Sequence, residues 1–441
     1  MSIQQAIDSL QFERWVRIGL RSTVARNAAS LYLIQFANYI VPLIMIPYLV
    51  RVLGPAGYGA VAFGQGLINY FMLFVEYGFD WSATRKISVH RNDPQVVNAT
   101  ALCVWAAKGL LALTGFGVLL ALAGIIPRLS EEFLLLLILY GLVWGNVLFP
   151  TWLFQGMERM VAISLINLGM KLGVLIGIFT LIRKPEHYLL YAGLMSFGAI
   201  LSGMTGMIVA FRMFRLRFDR ITWSGVWETL KEGWVIFLSR ASISLYTAGN
   251  AFILGMLTNN TVVGYYSAAE KIVKSILGLL DPIAQAAYPR FSKMAAESSE
   301  ALTLLARRMM PIMASIGVIL TTITFVTAPF LVDLLLGPSF VPSVSVVRIL
   351  SFTIINISLA TIWSTWLLIG AGREKVAAVI LFAAGLVNLF SALILAPRFF
   401  EQGMAIAVLL SETFVNITSF TYICKTGTNP LNNIFRTWTR S

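Results

Sequence analysis

The chain has 441 residues, of which 58% are hydrophobic and only 12% charged, and it carries a formal net charge of +13. That balance excludes a soluble globular enzyme, in which about a quarter of the residues would be charged. It also excludes nucleic acid as the partner of the positive charge, because the Lys and Arg residues flank apolar segments instead of clustering on a soluble surface.

Residues 1–27 form the first element. Phe12, Trp15, Val16 and Leu20 share one helical face and Glu13, Arg14, Arg17 and Arg21 the other, which predicts an amphipathic helix on the cytoplasmic membrane surface. The apolar run that follows contains Gln35, Asn38, Pro42 and Pro47 and lacks a small-residue cleavage site, so it reads as a retained span and not as a signal peptide. Runs of about 20 apolar residues, the length that crosses a bilayer, fall at 28–50, 57–79, 99–125, 132–154, 160–182 and 188–211. A second set falls at 233–257, 261–288, 309–336, 344–370, 374–396 and 402–424. Of these twelve, 309–336 is long, contains Pro329 and is the one expected to end early in a re-entrant piece.

The expected fold is therefore an all-α integral membrane protein of twelve spans, in two six-helix lobes around a central cationic cavity. The lobes cover 28–211 and 233–424, with a basic inter-lobe loop at 212–232 and a tail at 425–441. With both termini cytoplasmic, 22 Lys and Arg lie in inside segments and five in outside loops, so the positive-inside rule orients the chain. The halves also read as a degenerate repeat. At an offset of 205 residues Gly59 falls on Gly264, Gln65 on Glu270 and Arg85 on Arg290.

Lysines near the middle of spans carry the functional signal. Lys108, Lys171, Lys271 and Lys274 each cost at least ~2.5 kcal/mol in hydrocarbon, so each must face a wet cavity or a partner. Arg240, two turns inside the seventh span, belongs to the same anion-holding set, whereas Arg348 lies near a span end and is expected to snorkel. Lys271, Lys274 and Asp281 fall on one helical face, although Glu270 can neutralise Lys274 at i, i+4. Lys171 sits among Gly169, Gly173 and Gly177, a small-residue spacing that predicts close helix packing. Of the intramembrane acids Glu76, Asp80, Glu270, Asp281 and Glu412, Glu270 and Asp281 are the best placed to bind a coupling ion, and ion pairing is the alternative for all five. No cofactor or metal is implied. There is no GxxxxGK[ST] loop, His90 and His187 lie in loops, no metal-ligand cluster occurs, and Cys103 and Cys424 lie in apolar runs as core residues.

The segment from Asn27 to Asp93 resembles the opening of bacterial Wzx-type polysaccharide flippases, of the superfamily that includes MATE antiporters and the lipid II flippase. The pieces that carry the resemblance are Asn27, Leu31, Tyr32, Gln35, Asn38, Tyr39 and Pro42, then PYLVRVLG from Pro47, the Gly57–Gly59 turn, and YGFDWSATR from Tyr77. Beyond residue 100 it is mainly topological. The resemblance implies translocation of undecaprenyl-diphosphate-linked oligosaccharide across the cytoplasmic membrane for O-antigen or a related polymer. The partners it implies are that lipid-linked substrate, membrane lipid, and polymerase and chain-length machinery. The alternatives are a drug or organic-cation antiporter, which would prefer an acidic cavity, and an enzyme on lipid-linked glycans, which would need a large outside loop that this chain lacks.

Overall fold

The computed structural model describes residues 23–219, 221–247 and 249–425, with side chains from residue 44 onward except at 239, 240, 242–247 and 299. The expected surface helix at 1–27 falls largely outside these residues, as does most of the tail. Among the described residues the chain is helix and turn with no strand. Eight stretches are long and apolar enough to cross a membrane, and two of them, Ile44–Val89 and Glu374–Lys425, have 46 and 52 residues. Each of those two holds enough residues for two crossings at about 20 per crossing.

Helix α1 (Thr23–Glu76) is broken at Gly54, where φ is +67°, and Tyr77 and Gly78, both at positive φ, separate it from α2 (Phe79–Val89). Next comes α3 (Pro94–Ile125), whose N-cap Asp93 accepts from the backbone of Gln95 and Val96, with Pro94 opening the first turn. The predicted 132–154 span is a series of short helices, α4 (Pro127–Glu131), α5 (Phe133–Leu139), α6 (Gly141–Leu148) and α7 (Thr151–Gly156), interrupted before Thr151 by Pro150. The next two helices, α8 (Met160–Leu181) and α9 (Tyr188–Met213), are followed by α10 (Trp223–Thr247) and α11 (Asn250–Leu257).

The predicted 261–288 span is not one helix. Helix α12 (Asn260–Leu277) ends before Gly278, and α13 (Asp281–Glu297) begins with Pro282 in its first turn. Pro282 cannot donate to the Gly278 carbonyl, so continuing α12 would cost a bond and a clash. The chain instead tightens through Leu279 N–H to Ile276 and Leu280 N–H to Leu277. The expectation of an early end near 309–336 is corrected in the other direction: α14 (Ser299–Leu335) runs unbroken through Pro311 and Pro329. Its first turn is capped by Ser298, and Arg51 donates to the Leu334 carbonyl at its last turn, 2.5 Å away. Helix α15 (Ser343–Ala360) passes into a nine-residue π-helix, Thr361–Ile369. Finally α16 (Glu374–Lys425) folds back at Phe400, where φ is +52°. Buried Ala384, Asn388, Ala392 and Ala396 on one arm, and Gly403, Ala407, Ser411 and Val415 on the other, recur every four residues, the small-residue pattern that lets helices approach closely.

The chain forms two compact units. One contains Phe71–Leu181 and Tyr191–Phe237 with the chain up to Ile44; the other contains Met45–Tyr70, Ile182–Leu190 and the chain from Leu238 on. Within the second, Gly59 packs against the Asn260 carbonyl and the Gly264 amide, and Gly264 packs against the Pro55 carbonyl. Positions 55 and 260 differ by 205, as do 59 and 264, so each contact is the other with the halves exchanged. Reciprocal contact of this kind is what a two-fold operation produces. It gives the internal repeat a physical basis beyond matched letters.

A methyl group at Gly264 would collide with backbone, whereas nothing among the described residues lies within 4 Å of one at Gly169. Gly264→Ala is expected to destabilise the folded protein by about 1–3 kcal/mol, the usual cost of overpacking, and Gly169→Ala to leave it unchanged. Thermal unfolding midpoints of the two variants in detergent check this, and equal midpoints would contradict it.

Candidate functional site

In the first unit Lys108 lies on α3 and is 2% exposed. Its Nζ donates to the main-chain carbonyl of Asn146 at 2.9 Å. That acceptor is free for a local reason: in a continuing helix Asn146 C=O would bond the N–H four residues on, and residue 150 is a proline with none. The Asn146 amide Nδ2 donates to Glu76 Oε1 at 3.1 Å, and Asn146 Oδ1 is buried without a hydrogen-bond partner. Glu76 and Asp80 supply the nearest negative charge to the ammonium. The sequence required a partner for Lys108 from another helix or from a ligand, and the partner is Asn146. This lysine closes a polar cluster inside its own unit and does not present its ammonium to open space.

Lys171 is half-buried on α8. The close packing predicted around it is confined to Gly177, which approaches Leu194; Gly169 and Gly173 meet nothing within 4 Å among the described residues. Small residues in a span thus have two uses, and only the one at 177 serves packing.

The second unit holds Lys271 and Lys274 on α12. Lys274 pairs with Glu270 at 3.2 Å, the i, i+4 pairing its spacing suggested, and Glu270 also accepts from the Tyr266 hydroxyl at 3.0 Å. Lys271 is half-buried with its Nζ 5.2 Å from the centre of the Tyr58 ring, and among the described residues no carboxylate pairs with it. Tyr58 is 2% exposed and its hydroxyl has no hydrogen-bond partner among the described residues. A cation held over an aromatic face keeps its charge available to an anion. The aligned glycines at 59 and 264 bring Tyr58 beneath Lys271 by letting the two helices touch.

Asp281 lies beyond the break at 278–280, as the first residue of α13. Arg240 lies on α10 and its side chain is outside the described residues. Arg348 stacks on Phe325 at 5.4 Å with its Nε buried and without a partner, so the guanidinium is held against an aromatic ring. Glu412 is half-buried on the second arm of α16.

Several residues of the resembling segment prove to be architectural. Tyr48 donates to the Ile182 carbonyl at 2.5 Å, Arg51 caps α14, and Gly54 supplies the left-handed break. Tyr77 stacks on Phe237 at 4.9 Å, and Gly233 lies against the Tyr77 carbonyl. Sequence reasoning missed Asn146 and Tyr58. Asn146 was detectable as a polar residue four before a proline in a span, a spacing that leaves a carbonyl open; Tyr58 carried no such signal.

These features define an all-α integral membrane protein with intramembrane cations matched by carbonyl, carboxylate and aromatic groups. Residues 24–295 match the family model described as polysaccharide biosynthesis protein, and the chain belongs to that family. It is 29% identical to an Escherichia coli K12 protein over 89% of this chain and 95% of that one, and 30% identical to a Shigella dysenteriae protein over 88% and 97%. Both bear the name "Putative O-antigen transporter". Among solved structures it is similar to an inward-facing multidrug resistance MATE family transporter of the MOP superfamily, with a TM-score of 0.68, 15% identity and coverage of 87% and 93%. The lipid II flippase MurJ in an inward closed conformation gives a TM-score of 0.68 at 11% identity, covering 90% of this chain and 87% of that one. At such identities these two likenesses establish the fold alone.

Lys108 offers a direct check on the buried cluster. Lys108→Ala removes the donor to the Asn146 carbonyl, which is expected to cost about 1–3 kcal/mol and to lower the amount of monodisperse protein extracted from membranes. An alanine variant as abundant and monodisperse as the parent would contradict the assignment.

Proposed function

We propose that this protein is a flippase that moves an undecaprenyl-diphosphate-linked oligosaccharide, of the O-antigen or a related repeat, from the inner to the outer leaflet of the bacterial cytoplasmic membrane by alternating access. The observation that carries the reading is Lys271. A lysine held over an aromatic face, with no carboxylate paired to it among the described residues, is a site short of one negative charge, and a diphosphate supplies that charge with strong, charge-assisted hydrogen bonds. Lys274 assists it from the same helix, α12. Lys108 supports the path from within its polar cluster. Of the two acids assigned to a coupling ion, Glu270 and Asp281, Glu270 is engaged with Lys274 and Tyr266. The names borne by the Escherichia coli and Shigella relatives support the O-antigen substrate class. The flipped lipid is then consumed outside by polymerase and chain-length machinery.

The excess of Lys and Arg in alternate loops supports both termini and the 212–232 loop lying in the cytoplasm. In a chain with Cys103 and Cys424 replaced by serine, a membrane-impermeant thiol reagent added from the periplasmic side is expected to label Asn260→Cys and to spare Gly225→Cys. The reverse pattern would overturn the orientation.

Charge removal tests the site. Lys271→Ala is expected to reduce surface polymer at least tenfold, the equivalent of about 1.4 kcal/mol of lost stabilisation, with unchanged protein in the membrane. Lys271→Arg, which keeps the charge, should retain export. Full export by the alanine variant would remove Lys271 from the mechanism.

A further inference from the structure

A cavity of about 470 Å³ opens in the second unit where α13 meets α14. One wall is a helical face of α13, with Ile283, Ala286 and Ala287 spaced so that they line it together, and the other is Leu305 and Met309, one turn apart on α14. Its floor is Phe291, fully buried and stacked on Trp366 with ring centres 4.6 Å apart. Trp366 belongs to the π-helix and donates its indole N–H to the Ala284 carbonyl at 3.1 Å, which holds α13 from behind. A π-helix is uncommon and recurs at functional positions. Here it sets the ring that closes the floor of the cavity.

The lining is hydrocarbon except at one point. Arg290 stands at the rim, exposed, and among the described residues no carboxylate pairs with it. It follows Pro289, whose missing N–H leaves the Gln285 carbonyl without its helical donor at the same edge. In the orientation given above this edge belongs to the cytoplasmic end of α13. An apolar trough with a single cation at the level of the inner headgroups matches an amphiphile with a long hydrocarbon tail and an anionic head. A soluble anion would leave the trough unused, and a neutral hydrophobe would leave Arg290 unused.

We propose that this cleft holds the first isoprene units of the substrate's polyprenyl chain in the inner leaflet, with Arg290 bonding the diphosphate oxygen next to it before the diphosphate reaches Lys271. The inference rests on the flippase reading and adds a place for the lipid tail, distinct from the Lys271 site.

The test uses the full-length protein in nanodiscs and two photoreactive lipids, an undecaprenyl diphosphate and a phosphatidylglycerol, each with a diazirine in its chain. The diphosphate probe is expected to label peptides within 282–309, and excess unlabelled undecaprenyl diphosphate to suppress that labelling. Ala286→Phe, which fills the trough, should abolish it, and Arg290→Gln, on an exposed side chain, should raise the half-labelling concentration about tenfold. Equal labelling by the phosphatidylglycerol probe without competition would mean that the cleft takes bulk lipid, and labelling insensitive to both variants would place the tail elsewhere; either overturns the proposal. Leaflet transfer of the diphosphate lipid, measured in proteoliposomes, reports separately on the flippase reading. Labelling without transfer would count against that reading and leave the cleft standing, whereas transfer without labelling would overturn the cleft.

Discussion

An ammonium ion inside a bilayer must be answered by something, and the local structure follows from how each answer is made. Lys108 is answered by a carbonyl that Pro150 leaves unbonded, with Glu76 held through Asn146. Lys274 is answered by Glu270 one turn away. Among the described residues Lys271 has the face of Tyr58 and no carboxylate, an attraction of about 0.5–2 kcal/mol against a charge whose cost in hydrocarbon is larger. An anion bound at Lys271 would correct that imbalance.

The same economy of space places these groups. Gly59 and Gly264 let two helices touch backbone to backbone, which brings Tyr58 under Lys271. Larger residues there would separate the cation from its ring. The reciprocal contacts at 55 with 264 and 59 with 260 also explain why Met45–Tyr70 packs with the second unit although it lies early in the chain.

Membrane class, helical content and most span positions were legible because hydropathy reports the solvent directly. Against the twelve spans expected, eight stretches among the described residues are long and apolar enough to cross a membrane, two of them long enough for two crossings. What hydropathy could not show was backbone bonding. The break before Asp281 follows from which carbonyl Pro282 would strand, whereas α14 passes through Pro311 and Pro329, so the same residue type gave opposite outcomes according to its neighbours. At the site, the pairing of Glu270 with Lys274 was readable from i, i+4 spacing. The partner of Lys108 was not, because it is a main-chain atom 38 residues away. The family resemblance pointed to Tyr48, Arg51 and Gly54, and the structure shows them capping and bending helices, so a motif that identifies a family is here mostly scaffold.

We propose that Lys271 on α12, with no carboxylate paired to it among the described residues, stabilises a lipid diphosphate while it crosses the membrane. The most direct test is leaflet transfer of a fluorescent undecaprenyl-diphosphate glycan in proteoliposomes of purified protein, read by the fraction of glycan open to an external glycosidase. The parent chain is expected to raise that fraction well above protein-free vesicles, and Lys271→Ala is expected not to. Equal transfer by the two proteins would contradict it.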